Sequence, residues 1–163
     1  MSRRSFRLLV LLSSAALTGC TGDYQVSEGD VPDGGGGGGV GGGAMVEIEG
    51  PAVLPHVQAF ANAACDAVGA CQVLTYEGHS PTAERAIDTL VSDVYGSVPT
   101  DGNALGDAHA EYALTHQAES GIQYVIWRQR YNDGGGWDPM EDRGSITQNH
   151  YDHVHISFLE SAP

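Results

Sequence analysis

The chain has 163 residues and a formal net charge of −14 at pH 7, because it contains 21 acidic residues but only seven arginines and no lysine. A protein of this charge lacks the basic surface that displaces counterions from nucleic acid, so we expect no nucleic-acid partner. The folded part, expected from residue 46 onward, is long enough for one compact domain with a single hydrophobic core.

The first twenty residues have the pattern of an export signal. Three arginines lie within the first seven residues. They are followed by the apolar run 8–17 and then by the small-residue site Leu17-Thr18-Gly19-Cys20. That run is too short to cross a bilayer, whose hydrocarbon layer is about 30 Å thick. The segment resembles the bacterial lipoprotein signal, which implies cleavage before Cys20 and lipid attachment to its thiol. Residues 1–19 are therefore predicted to be a signal peptide, and the mature protein is expected to be exported and lipid-anchored to the cell envelope.

Residues 20–45 are predicted to be a flexible linker that begins at the lipidated Cys20. The glycine runs 34–39 and 41–43 bury no apolar surface and retain high chain entropy. A phosphate-binding glycine loop is the alternative, but no Lys-Ser/Thr pair follows these glycines. The folded domain is thus expected at residues 46–163, and we expect it to be a monomer.

The first helix of this domain is predicted to begin at Pro55 and to end before Gly69. Apolar residues recur within it at helical spacing, namely Val57, Phe60, Ala61, Ala64 and Val68. Cys65 lies in its last turn and Cys71 lies just beyond its end. Export compartments are oxidising, and this spacing without a second cysteine pair does not suit a metal site. A Cys65–Cys71 disulfide is therefore favoured over a metal-binding pair.

The remaining elements predict an α+β domain. Strands are predicted at Gln72–Tyr76, Arg85–Val91 and Ile122–Trp127, the last of them central to the sheet. Asp101 is placed to cap a helix that Gly121 ends. The long stretch 131–149 lacks a clear period but contains Trp137, so we expect an ordered loop that forms one wall of a cleft. The predicted fold is a small antiparallel sheet with flanking helices and a zinc site in a cleft on the sheet.

The last predicted strand carries two histidines on one face. Polar and apolar residues alternate in His153-Val154-His155-Ile156-Ser157-Phe158. Successive side chains of a strand point to opposite faces, so His153 and His155 share a face. Two imidazoles at one site supply what a hydrolytic zinc centre needs, a metal ligand and a proton acceptor. By itself the pattern also suits ordinary hydrogen-bonded strand histidines.

Two earlier residues complete a candidate metal site. His79 leaves a loop and Asp88 lies on the next predicted strand, so both can converge with His155. Two histidines and a carboxylate with a fourth position left for water form a catalytic zinc set. Zinc lowers the pKa of bound water from about 15.7 to about 7, and His153 would take the proton and return it to the leaving amine. The alternatives are His150 as a substitute ligand, a solvated turn position for His79, and a capping or ion-pairing role with Arg85 for Asp88.

The order His, Asp, His-x-His resembles the zinc peptidases of the lysostaphin, D-Ala-D-Ala metallopeptidase and hedgehog type. A C-terminal domain of exported bacterial proteins is similar to the runs Tyr124-Val125-Ile126-Trp127-Arg128-Gln129, Gly136-Trp137, Asp142-Arg143-Gly144-Ser145 and Asn149-His150-Tyr151-Asp152-His153-Val154-His155. Many members of this group cut peptidoglycan, so the resemblance implies a peptidoglycan peptide as substrate. It also implies that His79, Asp88 and His155 bind zinc and that His153 is the base. Eight residues separate His79 from Asp88, more than is usual in the D-Ala-D-Ala type. Either the loop between them bulges and still delivers His79, or His79 is displaced and the metal site is incomplete.

Two arginines are candidates for substrate binding. Arg128 or Arg143 would hold a carboxylate or polarise the scissile carbonyl, since a guanidinium offers a bidentate fork. Each could equally be a surface ion-pair partner in so acidic a chain. The sequence as a whole predicts a lipid-anchored zinc hydrolase that cuts an amide bond in a cell-wall peptide. The alternatives are a non-catalytic zinc-binding or wall-binding module and a partner-binding lipoprotein without a metal.

Overall fold

The computed structural model describes residues 45–163, so the predicted signal peptide, Cys20 and nearly all of the linker lie outside the described residues. Within this range the chain forms seven strands and three helices, in the order β1 (Ile48–Glu49), α1 (Pro55–Val68), β2 (Val73–Leu74), β3 (Ala86–Leu90), α2 (Ala104–Thr115), α3 (Gln117–Ser120), β4 (Ile122–Ile126), β5 (Arg130–Asn132), β6 (Asp138–Pro139) and β7 (His153–Phe158). A single turn of 3-10 helix, Ala83–Arg85, leads into β3. None of these helices is both long enough and apolar enough to cross a membrane.

One sheet contains all seven strands, in the order β1-β2-β3-β7-β4-β5-β6. The β1–β2 pair is parallel and every other neighbouring pair is antiparallel. The predicted α+β class is therefore confirmed. The centre of the sheet is β7, which is buried along its whole length. The strand predicted to be central, Ile122–Trp127, is its neighbour β4 and ends at Ile126.

Helix α1 has the predicted ends. Pro55 occupies the first turn, where its fixed φ suits a helix and its missing N–H is not needed. Gly69 ends the helix at φ 78°, a left-handed conformation that costs glycine little, and its N–H donates to the carbonyl of Cys65 at 2.9 Å. The predicted disulfide between Cys65 and Cys71 is present.

The predicted second helix is interrupted and forms α2 and α3. Asp101 caps it as expected, since its carboxylate accepts the N–H of Leu105 at 2.9 Å. The break is at His116, which has φ −100° and whose Nδ1–H donates to the carbonyl of Tyr112 at 2.8 Å. That carbonyl also accepts the N–H of His116 at 3.1 Å, so side chain and backbone share one acceptor at the break. Gly121, at φ 66°, then ends α3.

The hydrophobic core lies between the helices and one face of the sheet. Its largest fully buried apolar side chains are Trp127, Phe158, Ile87, Ile156, Val57, Val125 and Val154. Phe158 of β7 meets Phe60 of α1 edge to face, with 5.5 Å between the ring centroids. The predicted alternation of β7 is therefore confirmed, because its apolar residues enter this core and its histidines line a cleft on the opposite face.

The loop predicted at 131–149 is only partly irregular. It contains the two short strands β5 and β6, which pair antiparallel at the edge of the sheet. Its later part lines the cleft through Arg143, Thr147 and Gln148, so the predicted wall is confirmed. The strands predicted at 72–76 and 85–91 are shorter in the structure, where they are β2 and β3.

Candidate metal centre

Three buried side chains meet on the cleft side of the sheet, His79, Asp88 and His155. Nε2 of His79 lies 2.9 Å from Nδ1 of His155 and 3.1 Å from Oδ1 of Asp88. Nδ1 of His155 lies 2.8 Å from the same Asp88 oxygen. None of the three residues is more than 5% exposed. The structure thus brings together the three residues that the sequence predicts as ligands, as a group able to hold a metal ion.

Strand pairing and a loop position these side chains. Asp88 of β3 and His155 of β7 are direct partners in the antiparallel ladder, so their side chains leave the same face of the sheet. His79 arrives from the loop after β2, and its backbone N–H donates to the carbonyl of Tyr76 at 3.0 Å. The turn Ala83–Arg85 lies within the long spacing between His79 and Asp88, and His79 still reaches the site.

A hydroxyl group orients each imidazole. The hydroxyl of Thr75 donates to the carbonyl of Ala83 at 2.7 Å, so its oxygen accepts from Nδ1 of His79 at 3.1 Å. In the same way, the hydroxyl of Ser157 donates to the carbonyl of Ser80 at 3.2 Å and accepts from Nε2 of His155 at 3.0 Å. Each hydroxyl proton is already used on a carbonyl, so the ring nitrogen facing the hydroxyl must carry the imidazole proton.

These hydrogen bonds decide which atoms face the centre. The outer nitrogens, which face the hydroxyls and carry the protons, are Nδ1 of His79 and Nε2 of His155. The other nitrogen of each neutral ring therefore turns its lone pair toward the second ring and toward the carboxylate of Asp88. Such close acceptors repel one another, and burial leaves little water to screen the repulsion. A cation bound to all three atoms removes that repulsion, and partners that hold the outer nitrogens are usual for histidine ligands of metals. The residues therefore fit a metal ion.

The carboxyl group of Asp88 is held ionised. Burial opposes its charge, but the contacts with His155 and His79, which become hydrogen bonds whenever a facing ring nitrogen is protonated, and the nearby ring of His153 outweigh burial and hold its pKa well below the usual range. Asp88 therefore offers a charged oxygen at neutral pH. An anionic oxygen next to two nitrogen lone pairs is the donor set of a catalytic zinc site.

His153, the predicted base, lies beside the cluster and not within it. Its Nε2 is 3.7 Å from Oδ2 of Asp88, and its Nδ1 is 2.7 Å from Oδ1 of Asp152. Burial alone would raise the pKa of Asp152, but hydrogen bonds from His153, Gly96 and Thr147 lower it to about 2. An ionised Asp152 accepts the Nδ1 proton, which leaves Nε2 of His153 free to accept another.

The cluster opens into a cleft of about 630 Å³. Tyr76 stacks on His79, with 4.3 Å between the ring centroids, and Tyr124 stacks on His155 at 5.7 Å. Tyr95 lies against His153 at 5.7 Å. Burial, followed by the charges of Asp88 and Asp152, raises the pKa of Tyr95, so its phenol stays protonated. The cleft therefore has the size of a small-molecule site and several aromatic side chains in its lining.

The other candidate residues take different positions. Arg143 is exposed and lines the cleft, whereas Arg128 is not among the lining residues, and its backbone N–H donates to the carbonyl of His150 at 2.8 Å. His150 lines the cleft, with its ring centroid 4.8 Å from that of His153. Burial and the rings of His153 and His155 lower its pKa to about 3, so it is neutral at physiological pH. His109 lies in the core, away from the cleft.

Thr75, Ser157 and Asp152 have roles that the sequence did not reveal. Ser157 follows His155 by two residues, so the alternation of β7 already places it on the same face. Asp152 directly precedes His153, but adjacent residues of a strand point apart, so pattern reasoning does not pair them. Asp152 is in fact a bend residue just before β7, which frees its side chain to turn toward His153.

Residues 49–151 match the family described as VldE, C-terminal domain, which is more than half of the chain. The chain belongs to this family. The match includes His79 and Asp88 and ends before His153 and His155, so the last part of the centre lies beyond the matched residues.

A protein of Arthroderma benhamiae, described as an uncharacterized secreted protein, is 41% identical over 59 residues. That alignment covers 31% of this chain and 24% of the relative, so the chain spans about a quarter of the relative's length. No solved structure matches. Neither match names a zinc peptidase, and the resemblance to the D-Ala-D-Ala metallopeptidase type stays a hypothesis.

Proposed function

We propose that this VldE C-terminal domain protein is an exported zinc hydrolase that cuts an amide bond in a peptidoglycan peptide. The observation that carries the proposal is the convergence of His79 Nε2, His155 Nδ1 and Asp88 Oδ1, with each imidazole held in the tautomer that a metal needs. Zinc is the metal proposed, because two histidines and one carboxylate are a common zinc set with a position left open.

Each residue of the cleft has a part in this reaction. Zinc, when bound, supplies a Lewis acid that makes water nucleophilic near neutral pH. Nε2 of His153 accepts a proton from the attacking water and returns it to the nitrogen of the leaving amine, as the amide C–N bond breaks. Arg143, on the exposed rim of the cleft, binds a carboxylate of the peptide through its guanidinium fork. The placement of Arg128 offers it no comparable role.

Export and anchoring are part of the proposal. The pattern of the first twenty residues, with Cys20 at its end, supports an exported protein that is tethered to the envelope through a lipid. The Cys65–Cys71 disulfide suits an oxidising compartment. The relative from Arthroderma benhamiae is described as secreted, which agrees with export. A lipid anchor on Cys20 would hold a monomeric hydrolase close to the cell wall.

Metal analysis and turnover together test the proposal. Purified protein is expected to contain about one zinc per chain and to release amino acids or muropeptide fragments from purified peptidoglycan. His153→Gln is expected to keep its zinc and to lower turnover by about 10²–10⁴-fold, the usual contribution of a general base. His116→Gln is the matched control, because that histidine lies at the junction of α2 and α3 and does not line the cleft. The activity of this variant should equal that of the wild type.

Three results would contradict parts of the proposal. Protein without zinc, whose melting is unchanged by a chelator, would leave only an exported partner-binding protein. Bound zinc without turnover on any wall preparation would favour the non-catalytic zinc-binding or wall-binding module. A recombinant full-length chain that carries no lipid after expression in a bacterial host would remove the anchor but not the hydrolase.

A further inference from the structure

The carboxylate of Asp152 is fully buried and has three hydrogen-bond donors around it. Its Oδ2 accepts the backbone N–H of Gly96 and the hydroxyl of Thr147, both at 2.6 Å. Its Oδ1 accepts from Nδ1 of His153 at 2.7 Å. Gly96 belongs to the segment after β3 and Thr147 to the long loop before β7, so two separate chain segments fix the orientation of this carboxylate.

We propose that Asp152 is a positioning residue that selects the tautomer of His153, an inference that rests on the proposed function for its catalytic consequence. Because Oδ2 is held by Gly96 and Thr147, Oδ1 is the oxygen that faces His153. A carboxylate oxygen only accepts, so Nδ1 of His153 must carry the proton. Nε2 then holds the lone pair and points to the cleft side, 3.7 Å from Oδ2 of Asp88.

An amide in place of this carboxylate should reverse the tautomer. The N–H of Gly96 can only donate, so the amide introduced by Asp152→Asn must turn its oxygen toward Gly96 and its NH₂ group toward His153. Nδ1 of His153 would then accept, and its proton would move to Nε2. The nitrogen that faces the cleft would no longer be able to take a proton from water. Asp152→Asn thus changes one atom and removes the base without removing the imidazole.

Tautomers can be measured directly and without catalysis. Nitrogen NMR of the full-length, zinc-loaded protein labelled with ¹⁵N-histidine is expected to place the neutral His153 proton on Nδ1 in the wild type. The same spectrum of Asp152→Asn is expected to place it on Nε2. The His153→Gln variant, which lacks the resonance, assigns the signal. A proton that stays on Nδ1 in Asp152→Asn would overturn the proposal, whatever the activity.

Steady-state kinetics provide a second test of the proposal. Asp152→Asn is expected to lower kcat on the peptidoglycan substrate by about 10²–10⁴-fold, as the wrong tautomer does in serine proteases, with KM within threefold and zinc content unchanged. Ser97→Ala is the matched control, because Ser97 follows Gly96 in the same segment but its hydroxyl donates to the carbonyl of Val94 and not to Asp152. Its kcat is expected to stay within threefold of the wild type.

The outcomes separate this inference from the function on which it rests. If wild-type protein shows no turnover but the His153 proton moves in Asp152→Asn, the positioning role stands and the hydrolase fails. If wild-type protein turns over and Asp152→Asn keeps a kcat within threefold, the positioning role fails and the hydrolase stands. An equal loss of kcat in Ser97→Ala and Asp152→Asn would show that any change near this carboxylate disturbs the fold, and would also overturn the proposal.

Discussion

His79 and His155 meet nitrogen to nitrogen, with 2.9 Å between Nε2 of the first and Nδ1 of the second. Each is oriented from behind by a hydroxyl that is itself bound to a carbonyl of the segment 80–83. The loop that carries His79 therefore orients both imidazoles, including the one on β7. Folding of this loop therefore brings the whole donor set together.

The hydroxyl behind His79 should matter for metal affinity. Thr75→Val keeps the shape of the side chain but removes the acceptor for Nδ1–H of His79. Loss of such a partner typically weakens metal binding by about 10–100-fold, and we expect that range for zinc. Competition with a chromophoric chelator measures it. Thr82→Val, an exposed threonine in the same loop, is the control, and an affinity for zinc within twofold of wild type in Thr75→Val would contradict the assigned tautomer.

Removal of the metal should destabilise the protein. A ligand present at a hundredfold excess over its Kd stabilises the folded state by about 2.7 kcal/mol, which corresponds to a Tm shift on the order of 10 °C for a domain of this size. Calorimetry with and without EDTA is expected to show such a decrease in Tm for wild-type protein. His155→Gln, which lacks one ligand, should melt at the same temperature with and without EDTA. A wild-type Tm that EDTA leaves unchanged would contradict a metal-binding centre.

Local rules predicted those parts of the fold that depend on neighbouring residues. The ends of α1 follow from Pro55 and Gly69, and the faces of β7 follow from its alternation, so both were visible in the sequence. The central place of β7 depends on its pairing with both β3 and β4, which no local pattern encodes. The break at His116 cannot be read from the pattern because it coincides with a bond from the His116 side chain to a backbone carbonyl, whereas helical periodicity continues through it.

The residues of the candidate site likewise divide into those that the sequence predicts and those that it does not. His79, Asp88 and His155 were found because metal chemistry requires those residue types, and a resemblance supplied their order. Thr75 and Ser157 could not be found, since a hydroxyl has no metal chemistry of its own and acts here through the direction of its proton. Arg128 was a candidate only by residue type. Its backbone has the left-handed φ of 52° at a turn, and its side chain does not line the cleft.

Gly106 should not tolerate a side chain. A Cβ at this position of α2 would overlap with Cζ2, Cη2 and Cε2 of the buried Trp127. Gly106→Ala is therefore expected to lower the free energy of unfolding by about 1–3 kcal/mol, although alanine favours a helix by about 1 kcal/mol over glycine. Urea denaturation measures the change.

A double-mutant cycle isolates this contact. Trp127→Phe removes the far ring of the indole, so Gly106→Ala in that background should be neutral or stabilising. Equal destabilisation by Gly106→Ala in the two backgrounds would show that the cost does not come from the contact with Trp127.

Acid should destabilise the protein through His109. Burial lowers the pKa of His109 to about 4, against 6.5 when it is exposed, and its Nε2 pairs with the hydroxyl of Thr89 at 3.0 Å. Below pH 6.5 the unfolded chain binds a proton at this histidine that the folded chain does not, so stability decreases as the pH falls from 6.5 to 4. At pH 5 this one group is expected to cost about 2 kcal/mol. His150 is shifted in the same direction, so only a comparison of variants isolates His109.

The comparison uses His109→Gln, which does not titrate and whose amide can still bond to Thr89. Urea unfolding between pH 7 and pH 4.5 is expected to show a weaker loss of stability in His109→Gln than in wild-type protein, and the two curves should converge toward low pH. His116→Gln, a change at a partly exposed helix position, should keep the slope of the wild type. Parallel curves for wild type and His109→Gln would mean that the buried imidazole is already protonated in the fold or that its pKa is not shifted, and either case would refute the prediction.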